Sequence, residues 1–223
     1  MPVITNALTT LNNVKTIAGI ALTNTTPDAL LTRLINSLSQ AAESYCGRSF
    51  ARASYTETYN GNGRQVLLLR HWPVISVSLV TDNDAALTVN VDYFLDTQDK
   101  DVGRLYRPQG WSGNYYPRGM TMEPVAGTRN LEVTYIAGYY MPSDSLYVEG
   151  NATSLPIDIS YAIDEAVVAQ YNLAKLSGQG LKALSEGGLS YTWDTGMDSS
   201  NNASGISQKM AGVLNKYKVT AIA

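Results

Sequence analysis

The sequence predicts an α+β fold in which a small helical bundle carries an inserted layer of antiparallel β-sheet. Apolar residues recur at helical spacing near the N-terminus and again after Pro156, whereas residues 54–139 alternate between apolar and polar positions, as strands with one packed face do. The order is helix, helix, sheet, helix, and not the strand–helix alternation of a parallel sheet. The 223 residues suffice for one core, since folding would bury roughly 70% of the chain's surface.

Two helices are predicted at the N-terminus. The first covers residues 8–18, where apolar residues repeat at spacing three and Gly19 offers a stop. The second covers residues 27–46. Pro27 at the first helical position and an acid beside it favour a helix start, and Gly47 ends the apolar face.

The β insertion is predicted to begin with a hairpin. Tyr55 and Tyr59 alternate with threonines, and residues 60–63 have the Asn-Gly-Asn-Gly composition of a turn. Residues 66–69 are then the expected returning strand. Two later stretches, residues 110–128 and 138–154, exceed the usual length of a connection, which predicts functional loops.

Helix returns over residues 157–177, and the stretch that follows is rich in glycine and serine. We therefore predict a single core over residues 1–178, and a flexible connector with a C-terminal arm over residues 179–223. The arm carries a short amphipathic helix whose apolar positions are Met210, Val213, Leu214 and Tyr217.

Composition and charge exclude several classes of protein. The net charge of −3 and the pI near 5.1 argue against a dedicated nucleic-acid binder, which usually shows a basic surplus. No apolar run approaches the roughly 20 residues of a membrane span, and no secretory signal is visible. One cysteine and one histidine provide neither an internal disulfide nor a zinc cluster.

No pattern marks a catalytic centre. His71 ends an apolar strand and the chain has no Gly-x-Ser-x-Gly elbow, so a structural or interface histidine is the better interpretation. Cys46 ends a helix and is better explained as a buried small apolar residue. The glycines of residues 178–183 follow a helix, whereas a dinucleotide site needs a preceding strand. We expect no enzymatic activity, no cofactor and no metal.

Aspartates concentrate between residues 82 and 101. They lack the glutamate that closes a calcium loop, so solvated loops are the preferred interpretation, although a carboxylate pair for glycoside hydrolysis stays open. Arginines gather around Glu57 instead. Both groups suit a solvated face, or a head-to-tail association in which a positive patch meets a negative patch on the next copy. The residues of these two patches are Arg48, Arg52, Arg64, Arg70, Asp82, Asp84, Asp96 and Asp99.

An ordered set of motifs resembles the head-tail adaptor (connector) proteins of tailed bacteriophages and prophages. The resemblance covers roughly residues 8–178, and the motifs are specific in combination. They are AAESYCGRSF (41–50), YTETYNGNG (55–63), LLLRHWPVISV (67–77), GRLYR (103–107), GW (110–111), VTYIAGY (133–139) and LPID (155–158).

The resemblance implies a non-enzymatic structural protein of the virion neck, made in the cytoplasm of the bacterial host. Such proteins form a ring, usually a dodecamer, beneath the portal at one capsid vertex. The ring extends the channel for viral genome ejection, and its far face meets a neck, head-closure or tail protein. The implied partners are further copies of the chain, the portal and that downstream protein, with DNA passing through without sequence-specific binding and with no membrane.

The chain differs from the typical pattern of these adaptors in two ways: the loops at residues 110–129 and 138–155 are longer, and the tail past residue 178 is rich in glycine and serine. We expect the C-terminal arm to dock on the portal as a segment that orders on a partner. We expect Trp111, Tyr115 and Tyr116, in the long loop, to lie on the distal face.

Two other functions compete with the adaptor. The aromatic cluster at Trp111, Tyr115 and Tyr116 also suits a carbohydrate-binding or glycan-hydrolysing protein of the tail. DNA binding during packaging is the third hypothesis, and the acidic pI counts against it.

Overall fold

A computed structural model describes residues 2–96, 102–118, 121–125, 129–175, 183–186, 189–192 and 206–219. The chain divides into two compact units: a helical unit, Met1–Phe50 with Tyr140–Ala223, and a β unit, Ala51–Tyr139. Helices and antiparallel sheets together make the α+β fold that the sequence predicts, and the short C-terminal helix is present.

The helical unit contains four α-helices among its described residues. Local signals set their ends: the Thr10 hydroxyl accepts a hydrogen bond from the backbone N–H of Asn13 at one start, and Gly47 closes the second helix at φ +67°. The helices are α1 (Leu11–Ile17), α2 (Asp28–Cys46), α3 (Ile157–Lys175) and α4 (Gln208–Leu214), with a 3-10 turn, Asn215–Tyr217, after α4.

The C-terminal helix belongs to the core of the helical unit. α4 packs against α2 and α3, where Met210 and Leu214 are buried. Beyond it, the N–H of Val219 donates to the carbonyl oxygen of Cys46 at 2.9 Å, and Tyr45 donates its hydroxyl to Asn215 at 2.7 Å. The described part of the arm, residues 206–219, is therefore tied to the end of α2.

The described residues of the β unit form two sheets and a hairpin, all antiparallel. The four-stranded sheet has the order β1-β9-β3-β4, the three-stranded sheet β2-β6-β5, and the hairpin pairs β7 with β8. The strands are β1 (Ala53–Tyr59), β2 (Val66–Leu68), β3 (Val74–Asp82), β4 (Ala85–Ala86), β5 (Phe94–Leu95), β6 (Arg104–Tyr106), β7 (Asn114–Arg118), β8 (Thr121–Val125) and β9 (Leu131–Ala137).

β9 lies at the centre of the four-stranded sheet. Its alternate residues Leu131, Val133 and Tyr135 are fully buried, and β1 and β3 pair on either side of it. One face of this strand therefore fills the core of the β unit, in the alternation expected of a half-buried sheet.

The predicted hairpin of residues 54–69 is wrong. β1 pairs with β9, and β2 pairs with β6 in the other sheet, so residues 60–63 carry the chain between sheets. Gly61 lies so close to Ser112 that a Cβ would be 1.7 Å from its carbonyl oxygen, and Gly63 donates its N–H to the carbonyl of Trp111 at 2.9 Å. The glycines serve close packing against residues 110–112.

Residues 110–128 are not wholly loop, because β7 and β8 form a hairpin there. Prolines at positions 117 and 124 lie within these strands and obscure the strand pattern in the sequence. A second hairpin, β10 (Ala183–Glu186) with β11 (Leu189–Thr192), lies in the predicted connector. By contrast, the predicted helices 8–18, 27–46 and 157–177 correspond to α1, α2 and α3. α1 begins three residues later than predicted, and residues 176–177 lie outside the described residues.

We expect Gly61→Ala to lower the free energy of unfolding by about 2–3 kcal/mol, because the added methyl group meets backbone that cannot move aside cheaply. Chemical denaturation measures the effect. The matched control is Gly212→Ala in α4, where a Cβ meets nothing within 4 Å. This substitution should stabilise the protein by about 0.5–1 kcal/mol, because alanine favours the helix over the unfolded chain. Equal stability of the two variants would contradict the packing described for Gly61.

Candidate interaction surfaces

A hydrogen-bonded cluster joins β1 to β9 around Glu57. The Glu57 carboxylate accepts the hydroxyl hydrogens of Tyr59 and Tyr135, each at 2.5 Å. The Nδ1 atom of His71 lies 3.3 Å from the Tyr135 hydroxyl, and the Arg70 guanidinium lies over the Tyr59 ring at 4.8 Å. The cluster fixes the two strands against each other.

The electrostatics of this cluster favour a charged Glu57. Burial acts to raise the pKa of Glu57, but the hydrogen bonds from Tyr135 and Tyr59, with the nearby His71 and Arg70, outweigh it and hold the pKa below its usual value. Burial and the same carboxylate raise the pKa of Tyr59 to about 12. The placement of His71 agrees with its interpretation as a structural histidine.

Cys46 is buried, as the sequence predicts. Burial raises the pKa of its thiol to about 11, and the sulfur donates to the carbonyl oxygen of Leu214 at 3.6 Å. This is the environment of an inert, structural cysteine.

Asp82 and Trp111 are core residues of the β unit. Asp82 is buried and pairs with Arg107, and it also accepts the side-chain amide of Asn130 at 3.3 Å. Trp111 is buried and donates its indole N–H to the carbonyl of Gln65 at 3.1 Å. Neither side chain is accessible on the surface of the folded chain. The prediction that Asp82 belongs to a surface patch is therefore wrong, as is the prediction that Trp111 lies on the distal face or stacks on a sugar.

The other predicted patch residues are spread over the molecule. Arg48 is buried in the helical unit, with its guanidinium over the Phe50 ring at 5.2 Å, so it is also corrected as a surface contact. Arg52 is half-buried, whereas Arg64, Arg70 and Asp84 are exposed. Asp96 pairs with Arg104 at 3.8 Å. Asp99 lies outside the described residues, as do the side chains of Tyr115 and Tyr116 on β7.

The predicted portal-binding residues divide into two pairs. Met210 and Leu214 are buried within the helical unit, so they are corrected as contacts to a partner in this conformation. Val213 and Tyr217 are half-buried, and Tyr217 donates its hydroxyl to Asp158 on α3 at 2.8 Å.

The helical unit has an open cavity of about 550 Å³ beside α1 and α3, and we call it the acidic groove. Its apolar lining residues Ile17, Ile157 and Tyr161 are 41–52% exposed. The carboxylates of Glu149 and Asp164 line it as well, whereas the described lining residues include no lysine or arginine. The sequence did not predict this groove, because Ile157 and Tyr161 lie outside the apolar face of α3, and that face is the only one that the helical spacing identifies.

Asp164 is a buried carboxyl at this groove. It is 4% exposed, and it accepts the hydroxyl hydrogen of Thr9 at 2.5 Å. Burial raises its pKa to about 6, and the Thr9 hydrogen bond opposes this only in part.

The β unit has an exposed apolar surface on its three-stranded sheet, which we call the apolar sheet face. Register places Tyr106 on β6 between Val66 on β2 and Phe94 on β5, and Leu68 lies opposite Arg104. The four apolar side chains are 39–42% exposed. The other side of the same sheet carries Leu67 and Leu105, which are buried in the core.

Among the described residues, no group of three or more His, Cys, Asp or Glu side chains could hold a metal ion. No helix in the described part of the chain combines the length and hydrophobicity needed to cross a membrane. The described residues thus form an α+β protein with an exposed apolar sheet face and an acid-lined groove.

Comparison with known proteins gives the family. The sequence model of the head completion protein family matches residues 7–148, so the chain belongs to the head completion protein family. The family description gives it a structural role in head completion. No curated protein sequence matches the chain.

A solved structure shares the fold. A chain in the neck of an empty gene transfer agent particle, computed with C6 symmetry, has a TM-score of 0.53 and 15% sequence identity, over 100% of this chain and 95% of that chain. A chain in the neck of the native particle, computed with C12 symmetry, has a TM-score of 0.49 and 14% identity, over 100% of this chain and 94% of that chain.

We expect the stability gain of Asp164→Asn over the natural protein to grow by on the order of 2 kcal/mol between pH 4 and pH 7. The folded-state pKa of Asp164, about 6, lies above its ordinary value of 3.8, so its protonated form favours folding at low pH. That contribution is lost as pH rises through 6, and the amide has no charge to bury.

Urea unfolding of both proteins at several pH values measures this difference. Asp84→Asn is the control, because Asp84 is exposed and has a positive φ of 65°, which asparagine also tolerates. Parallel stability curves for Asp164→Asn and the natural protein would contradict the description of Asp164.

Proposed function

We propose that the protein is a ring adaptor of the virion neck. In this proposal it joins the portal at the capsid vertex to the downstream neck, head-closure or tail protein and extends the channel for genome ejection. The observation that carries the proposal is the family match over residues 7–148, which includes α1, α2 and the whole β unit. The fold shared with a neck chain of a gene transfer agent supports it.

The proposed assembly is a closed ring, with twelve copies as the expected number. The neck that shares this fold was computed with C6 symmetry, and sixfold symmetry fits rings of six or twelve subunits. A closed ring needs two unlike, complementary surfaces on every copy. Arg52, Arg64, Arg70, Asp84 and Asp96 stay candidates for such contacts between copies.

We also propose that the C-terminal segment binds the portal while α4 stays packed on its own helical unit. Val213 and Tyr217 are the half-buried members of the predicted set. Tyr115 and Tyr116 stay candidates for the distal face. The net charge of −3 suits a channel through which DNA passes without being held at its phosphates. We propose virion assembly after synthesis in the host cytoplasm.

Deletion of the gene from its phage or prophage tests the adaptor function. We expect electron microscopy of the lysate to show heads separated from tails, because the joint between them is missing. Infectious titre should fall by about a thousandfold or more, and the natural gene supplied in trans should restore it. A frameshifted copy of the gene is the matched control for complementation. Normal infectious particles without the protein would contradict the proposal.

A further inference from the structure

We propose that the apolar sheet face of one copy packs into the acidic groove of the next copy, so that these two surfaces form the interface between ring subunits. This inference rests on the proposed function, because it assigns residues to the contact that closes the proposed ring. Each of the two surfaces is occupied by the other surface on a neighbouring copy.

The apolar sheet face has the properties of an interface. Val66, Tyr106 and Phe94 form a row across three strands, and Leu68 extends it along β2. A contiguous apolar surface of this kind on a sheet is unfavourable in water and marks a contact with another protein. The sheet cannot turn these residues inward, because Leu67 and Leu105 already fill its core side.

The charges around this face are mainly positive. Arg64 and Arg70 are exposed and lie two residues before and two residues after β2, and Arg70 pairs with Glu57 at 3.6 Å. Arg104 lies opposite Leu68, where Asp96 pairs with it. The face is therefore an apolar centre with a basic border.

The groove has the complementary character. Its exposed side chains Ile17, Ile157 and Tyr161 supply apolar surface, and its charged lining residues, Glu149 and Asp164, are both acidic. Leu146 and Val148, beside Glu149 in the same loop, are also more than half exposed, at 65% and 58%. The exposed Glu149 and the buried Asp164 disfavour an acidic occupant and favour one with a basic border.

Charge complementarity favours a second copy of this chain as the occupant. A basic-bordered apolar face and an acid-lined apolar groove are present on one chain, and they belong to different units. Such a pair makes a head-to-tail contact that repeats from copy to copy. The copies form a closed ring when the rotation between neighbouring copies is a whole fraction of a full turn. Two like surfaces would instead give a two-fold dimer.

Leu68→Glu tests the sheet face. Complementing the gene deletion with this variant should lower the copies of the chain per purified particle by about tenfold or more, because a carboxylate would be buried beside the acids of the groove. Leu79→Glu on β3 is the matched control, since Leu79 and Leu68 are 41% and 42% exposed, and it should stay within about twofold of the natural protein. Thermal melts of both purified variants check that the fold is intact.

A charge exchange tests the occupant. Glu149→Lys, combined with Leu68→Glu in the same chain, should restore incorporation to within about threefold, because every copy then presents a glutamate to a lysine on its neighbour. A portal or tail protein on the sheet face would gain nothing from a change in the groove. Loss in Leu68→Glu without restoration in the double variant would therefore overturn the groove as the occupant.

Failure of this inference is distinct from failure of the proposed function. If gene deletion separates heads from tails but Leu68→Glu behaves like Leu79→Glu, the interface is wrong and the adaptor function stands. If gene deletion leaves normal particles, the ring and its interface are both overturned.

Discussion

The β unit depends on the register of a single strand. β9 pairs with β1 on one side and β3 on the other, and its alternate residues are buried. A shift by one residue would expose all of them and bury Glu132. The Glu57 cluster opposes such a shift, because the Tyr135 hydroxyl on β9 and the carboxylate on β1 meet only in this register. Charge-assisted hydrogen bonds of this kind are about twice as strong as neutral ones.

Local patterns predicted the helices well and the pairing of the strands poorly. The three long apolar stripes correspond to α1, α2 and α3, because a buried helix face follows from spacing alone. The Asn-Gly-Asn-Gly segment does mark a change of direction, but composition says nothing about which strand comes next to β1. That choice is made by long-range contacts, such as the hydrogen bond from the Gly61 N–H to Asn130. Residues this far apart in sequence are beyond any local pattern.

The surfaces were harder to predict than the fold. Charge patterning identified Arg48 and Asp82 as surface residues, yet both are buried, since an ion pair or an aromatic ring lets a charged side chain lie in a core. The apolar sheet face escaped notice because its members come from three strands and meet only through register. Val66 to Leu68 is apolar at every position, so both faces of β2 are apolar, but nothing local shows that one of them stays exposed.

The first and last residues of the β unit lie side by side. Ala51 and Tyr139 form a bridge, and the Arg52 N–H donates to the Tyr139 carbonyl at 2.9 Å. Gly138, at φ +104°, lets the two backbones approach, since a Cβ there would lie 2.6 Å from the Ala51 oxygen. An insertion whose two ends are adjacent can be changed as a separate part of the chain. Evolution or an engineer could lengthen, exchange or remove it at these two ends. After removal, a short loop would suffice to join the two parts of the helical unit.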